Sequence, residues 1–194
     1  MKLNTKLIVY VGLLSAISSV LMFFPHFPIF PPPANFLDVD FSDVPALLAS
    51  VTIHPFAGII IVLFKNLIHL LQTKTFAVGE LSNLILGTAF CLSTGFASRY
   101  TLGTMHIKKK LIFVLPVSVI IVTVTAVISN FFIVLPAYAH FMPALAETLG
   151  KFQFIAAWIA PFNIIKASLQ AIVFYLLFRG LYPYIEKNIL FKKH

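Results

Sequence analysis

The run from Phe152 to Tyr184 is apolar over more than the length of a bilayer-spanning helix, and Asn163, Lys166 and Gln170 interrupt it. These three stand at i, i+3 and i+7, so on a helix they form one polar stripe. A lysine at the centre of a membrane span costs about 2.5–3.5 kcal/mol on insertion scales. Such a residue is retained where it lines a cavity or meets a ligand. The stripe therefore reads as one wall of a small-molecule pocket inside a membrane protein.

Composition supports this solvent. Hydrophobic residues make up 60% of the 194 and charged residues 10%, where soluble domains carry about 45–50% and about 25%. Mean hydropathy is +0.99. At about 20 residues per crossing, the chain holds five or six spans and leaves no length for a soluble catalytic domain. The expected fold is an all-α membrane protein, six transmembrane helices in a compact bundle forming a single domain over 1–194. Cys91, the single cysteine, lies in an apolar run and reads as a packing residue, not part of a disulfide or metal site. The net charge of +8 is scattered over span ends, which sets topology and does not point to nucleic acid.

Leu7 to Phe24 is the first span, too long for the apolar core of a signal peptide. Gly12 and Ala16 form a small-xxx-small pair there, suited to close helix contact with a partner or to internal packing. Pro25 to Asp40 is a stiff, proline-rich loop. Asp38, Asp40 and Asp43 close it; it reads as a solvated loop ending in an N-cap at Asp40 or Ser42, and as a lid. Phe41 to Ile53 is a short apolar helix and Phe56 to Leu71 the third span, carrying Lys65, Asn66 and His69. No second histidine or carboxylate near His69 has metal-ligand spacing, so Lys65 and His69 read as inward structural polarity or a second pocket wall. Glu80 to Leu102 is the fourth span, where Glu80 either caps the helix or joins Asn83 on a polar face. Leu111 to Leu135 is the fifth, with Asn130 near its end, and a loop is expected from Pro136 to Lys151. The sixth span is expected to loosen at Pro161 and to end before Arg179.

With six spans and both termini cytoplasmic, ten basic residues from Lys2 through Lys108, Lys109 and Lys110 to Lys193 lie inside, and Lys74 and Lys151 lie outside. Asp38, Asp40, Glu80, Asn83, Asn130, Asn163 and Lys166 then meet at one depth beneath the outer surface, and a cavity open to the outside is the simplest account. Asn130, Asn163 and Lys166 suit the edge of a planar ring that alternates acceptors with a donor. Asp38, Asp40 and Glu80 suit a polyol and repel phosphate. Phe36, Phe131, Trp158 and Phe162 are candidates to pack on the ring, each with lipid contact as the alternative.

The segments FLDVDFSDVPALL (36–48), KNLIHLL (65–71), VGELSNLILG (78–87), SNFFIVLPAY (129–138) and APFNIIKASLQ (160–170) resemble the riboflavin-binding S component of energy-coupling factor (ECF) transporters, in order along essentially the whole chain. The resemblance implies a six-helix protein that binds vitamin under its first outer loop. It implies a transmembrane coupling subunit and two ATPases as partners, engaged partly through small residues of the first helix. By that resemblance Asn130, Asn163 and Lys166 hold the flavin ring edge, while Asp38, Asp40, Glu80 and Asn83 lie near the ribityl chain. Gly12 and Ala16 match the small-residue motif loosely. Members differ in vitamin specificity, which brings in FMN as a second ligand.

The expected function is capture of riboflavin at the outer face of the cell membrane for ATP-driven import. Riboflavin is cargo, no cofactor or metal is implied, and no chemistry is done on it. The chain has no G-x-x-x-x-G-K-[ST] loop, so ATP hydrolysis falls to partner chains. The alternative is a stand-alone proton-coupled secondary transporter using Glu80, Lys166 or His69, against which the lack of an internal repeat argues.

Overall fold

The computed structural model describes residues 5–25, 27–31, 37–73, 75–141 and 154–187. Phe36, Glu147 and the basic residues Lys2, Lys74, Lys151, Lys192 and Lys193 lie outside the described residues, as do most of the expected Pro136–Lys151 loop and part of the proline-rich loop.

Helix α1 (Thr5–Phe23) is followed by a two-residue strand β1 (Phe27–Pro28), which pairs antiparallel with β2 (Asp38–Val39). Then come α2 (Asp43–Thr52), α3 (Pro55–His69), α4 (Val78–Tyr100) and α5 (Ile107–Ser129). A π-helical turn (Asn130–Val134) joins α5 to α6 (Leu135–Phe141), and another (Ile155–Ile159) leads into α7 (Ala160–Ile185). Five of these segments, those beginning at Thr5, Pro55, Val78, Ile107 and Ile155, are long and apolar enough to cross a membrane. The outward faces are apolar, as Ile8, Leu13, Phe64, Ile120 and Leu176 show, each more than 40% exposed. In a membrane protein that surface meets lipid.

Helix α2 has ten residues, about 15 Å at 1.5 Å per residue, half a bilayer. The remainder of that crossing is extended chain, Leu37 to Phe41, in which Val39 and Asp40 are buried. Non-helical backbone at membrane depth persists only where protein or a cavity surrounds it. Here polar side chains take up its carbonyls, Lys166 Nζ donating to Asp38 O and Gln170 Nε2 to Asp40 O, and Ser18 Oγ donates to Ser42 O where α2 begins. The start of α2 differs from the expected cap. Ser42 is the N-cap residue but makes no side-chain cap bond; its own N–H donates to Asp40 Oδ1 at 2.8 Å, an Asx-type turn.

Two further boundaries differ. Pro136 does not end the fifth crossing, which runs on through α6 to Phe141. The last helix does not stop before Arg179: Tyr182 and Ile185 are buried, and Tyr182 Oη lies 3.2 Å from both His106 Nε2 and Glu186 Oε1. Packing against the start of α5 carries α7 past its charged residue. These contacts, with Arg99 Nη2 donating to Ile53 O at 2.6 Å, gather Arg99, Lys108–Lys110 and the end of α7 at one end of the bundle.

Helices α2, α3 and α4 meet at Gly58. A Cβ there would lie 2.7 Å from Ala46 O and 2.8 Å from Cys91 Sγ, so the crossing requires a bare backbone. Cys91 is fully buried at this contact. Gly58→Leu is expected to lower the melting temperature of the purified protein by about 5 °C or more, since overpacking a core costs about 1–3 kcal/mol. An unchanged melt would show that the crossing is loose.

Candidate functional site

The end opposite the basic cluster holds a cavity of about 410 Å³, within the range that encloses a drug-sized molecule. Asp38, Asp40, Glu80, Asn83, Asn130, Asn163 and Lys166 all line it, from the β2 segment, α4, the π turn after α5, and α7. Both apolar cores contribute, through Phe90, Val122 and Ala167 from one and Val134, Tyr138 and Ile159 from the other.

The two asparagines share a local cause. Asn130 opens one π turn and Asn163 stands one helical turn after the other, and each π turn ends two residues before a proline, Pro136 or Pro161. Proline has no N–H and its ring presses on the carbonyl four residues back, so the backbone widens to i→i+5 bonding. Leu135 N–H donates to Asn130 O, and Ala160 N–H to Ile155 O. Asn130 Nδ2 then donates to Ala126 O and Asn163 Nδ2 to Ile159 O, both at 2.8 Å. Each amide is fixed in place with its Oδ1 and one N–H left over. That is the pattern needed to accept from a ring imide and donate to its neighbouring carbonyl.

Lys166 Nζ makes one short bond, to Asp40 Oδ2 at 2.7 Å, and two long ones, to Asn83 Oδ1 at 3.4 Å and Asp38 O at 3.5 Å. The long bonds are the ones a ligand acceptor can replace. The other carboxylate oxygen of Asp40, Oδ1, accepts from the Ser42 hydroxyl, so both oxygens are engaged. The ammonium of Lys166 and the carboxylate of Asp40 form an ion pair that is neutral as a unit. Behind it, Lys65 Nζ meets Asp43 Oδ1 at 2.5 Å, and Gln170 Nε2 donates to Asp43 Oδ2 at 3.0 Å.

Glu80 is placed differently from a free acceptor. Its Oε1 lies 2.8 Å from His69 Nδ1, and its Oε2 accepts from Thr73 Oγ1 at 3.0 Å and Thr75 Oγ1 at 3.2 Å. The carboxylate lines the cavity and also ties the end of α3 to the start of α4. The turn it secures holds Phe76 and Ala77 at φ of +49° and +67°, a strained conformation for residues with a Cβ. His69 also stacks on Phe23, with ring centroids 5.0 Å apart. Among the described residues no group of three His, Cys, Asp or Glu side chains is placed to hold a metal ion.

The aromatic expectations divide. Phe162 is buried and lines the cavity. Phe131 is 51% exposed and faces outward, as a residue next to an inward-pointing one on a helix does. Trp158 packs edge-on against Phe30 of the first loop, centroids 5.4 Å apart, and is not among the lining residues. Sequence reasoning missed Tyr138, assigned to a loop, which is buried on α6 against the cavity, and Asp43, whose carboxylate lines it. Pro136, six residues past Asn130, was read as the end of the span, and that reading hid Tyr138. Lys65 is fully buried beneath the cavity and does not line it, so the second-wall reading fails for it and holds for His69.

Gly12 and Ala16 point outward, and a Cβ at Gly12 would meet nothing within 4 Å. Internal packing is therefore not their role. The serines of α1 face inward instead: Ser18 donates to Ser42 O on the neighbouring segment, while Ser15 and Ser19 donate back to Val11 O and Ser15 O of their own helix.

Against known proteins, residues 6–178 match the family model "ECF transporter, substrate-specific component". The chain belongs to this family. It is a multi-pass membrane component of a transporter and not an enzyme. The substrate-specific component is 39% identical over 191 residues to the riboflavin transporter RibU of Staphylococcus aureus, covering 96% of this chain and 97% of that protein. It is 36% identical to the riboflavin transporter FmnP of Bacillus subtilis, with the same coverage. A solved structure described as "Structure and mechanism of the S component of a bacterial ECF transporter" superimposes with a TM-score of 0.75 at 37% identity, covering 93% of this chain and 97% of that one.

Proposed function

We propose that this chain captures riboflavin in the cavity described above and presents it for import as the substrate-specific component of an ECF transporter in the cell membrane. The observation that carries the reading is the wall formed by Asn130, Asn163 and Lys166, whose unspent N–H and Oδ1 groups match the alternating edge of an isoalloxazine ring. Two relatives alike over nearly their whole length, both called riboflavin transporters, support the same ligand. Asp38, Asp40 and Asn83 lie where a ribityl chain would reach, and the carboxylates disfavour a phosphate, so riboflavin is preferred over FMN. Glu80 serves this region through the turn it anchors. The charge distribution supports cytoplasmic termini and a cavity opening outward. The coupling subunit and two ATPases supply the energy.

Protein purified from cells in rich medium is expected to be yellow, and the stripped protein to quench riboflavin fluorescence at a stoichiometry of one. A colourless preparation that leaves added riboflavin unquenched would overturn the reading.

A further inference from the structure

Lys65 is fully buried, lies outside the cavity lining and has only protein partners in reach. Its ammonium donates to Ser42 Oγ at 2.6 Å and Asp43 Oδ1 at 2.5 Å. A lysine ammonium has donors and no acceptor, so Ser42 Oγ must receive, and its own proton goes to Asp40 Oδ1, 2.5 Å away. Ser42 N–H reaches the same oxygen at 2.8 Å. That leaves Asp40 Oδ2 for Lys166 at 2.7 Å. Gln170 Nε2 closes the circuit by donating to Asp40 O and Asp43 Oδ2, both at 3.0 Å. Two ammonium groups and two carboxylates, drawn from four segments, form one neutral ring in which the direction of every proton is set.

We propose that Lys65, acting through Ser42 and Asp43, is a positioning residue for ligand capture: it holds Asp40, and through it the pocket ammonium of Lys166, at the height where a bound ring edge is met. The proposal rests on the riboflavin reading above. Asp43 is where the two ion pairs meet through Gln170 and Ser42. Helix α4 packs on its carboxylate with the bare backbone of Gly87, where a Cβ would come within 2.9 Å of Asp43 Oδ1, so α4 gives it no cation there. The charged or titratable groups that bear on Asp43 are Lys65 of α3, Lys166 of α7 and Cys91 of α4. With Lys65 removed, the unpaired carboxylate draws on Lys166, the next ammonium, and pulls it off the ligand. With both charges of the Lys65–Asp43 pair removed, nothing competes for Lys166. Breaking one side of a buried pair is costly, whereas replacing both is often neutral.

The test uses the full chain purified in detergent, with riboflavin titrated against Lys65→Met, Asp43→Asn, the double variant and Ser42→Ala. Lys65→Met and Asp43→Asn are each expected to weaken binding about tenfold or more, and the double variant to return within about threefold of the unmodified protein. Restoration separates charge balance from packing, because Asp43→Asn fills no space left by Lys65→Met. Ser42→Ala keeps all four charges and cuts only the link to Asp40; it is expected to weaken binding several-fold, about 3–10-fold. Single variants that bind like the unmodified chain overturn the proposal, and so does a double variant as weak as Lys65→Met. Should Lys65→Met yield no folded protein, Ser42→Ala decides alone, and unchanged affinity there overturns it. Failure of the unmodified chain to bind riboflavin would instead sink the ligand assignment.

Discussion

Lys166→Met is expected to bind riboflavin at least about a hundredfold more weakly than the unmodified chain, about 2.7 kcal/mol at 1.36 kcal/mol per factor of ten. Two losses add. The ligand loses an ammonium that it would meet in a buried site, where a charged hydrogen bond is worth more than a neutral one. Asp40 loses its short partner at 2.7 Å and keeps only Ser42, so a buried carboxylate must be neutralised or drawn toward water. Methionine keeps the volume of the lysine stem, so the helix should insert and the protein should elute as before. Fluorescence titration measures the affinity, and size-exclusion chromatography checks the fold. Binding within tenfold of the unmodified chain would place the ligand elsewhere in the cavity.

Gly12→Trp and Ala16→Trp are expected to abolish co-purification with the ECF coupling subunit and to leave riboflavin affinity within about twofold. Both positions lie on the outward face of α1, one turn apart, with Val9, Leu13 and Val20 around them. Small residues there let a second helix approach closely, and an indole on either blocks that approach. The same substitutions point away from the bundle, since a Cβ at Gly12 finds no atom within 4 Å and Ala16 is exposed. Normal vitamin binding without assembly is therefore the expected signature. Assembly that survives both substitutions would move the interface to another helix.

Much of this molecule was legible before its coordinates. Apolar length set the crossings, because a bilayer admits helices and little else. The i, i+3, i+7 spacing of Asn163, Lys166 and Gln170 placed all three on the cavity wall, since α7 is regular from Ala160 onward. Spacing failed where the helix departs from 3.6 residues per turn. Phe131 and Trp158 lie within the two π turns, and an added residue per turn changes which way a neighbour points. Lys65 was read as inward polarity and is buried, but its pairing with Asp43 escaped for another reason. They stand 22 residues apart, and no local pattern says that two charges on different helices will meet in a core. Glu80 was recognised as polar lining, but its saturation by His69, Thr73 and Thr75 depends on a turn with two left-handed residues, for which neither phenylalanine nor alanine is a signal.

The half-length of α2 has a consequence for how the protein tolerates change. Where chain crosses a membrane without making a helix, its peptide groups need a solvent, and here that solvent is built from Ser18, Lys166 and Gln170. These side chains hydrate backbone from neighbouring helices, as water would in a soluble loop. A substitution that removes a single serine hydroxyl from the first helix thus dehydrates a carbonyl on another segment, and sensitivity to mutation will follow this internal hydration more closely than distance from the cargo.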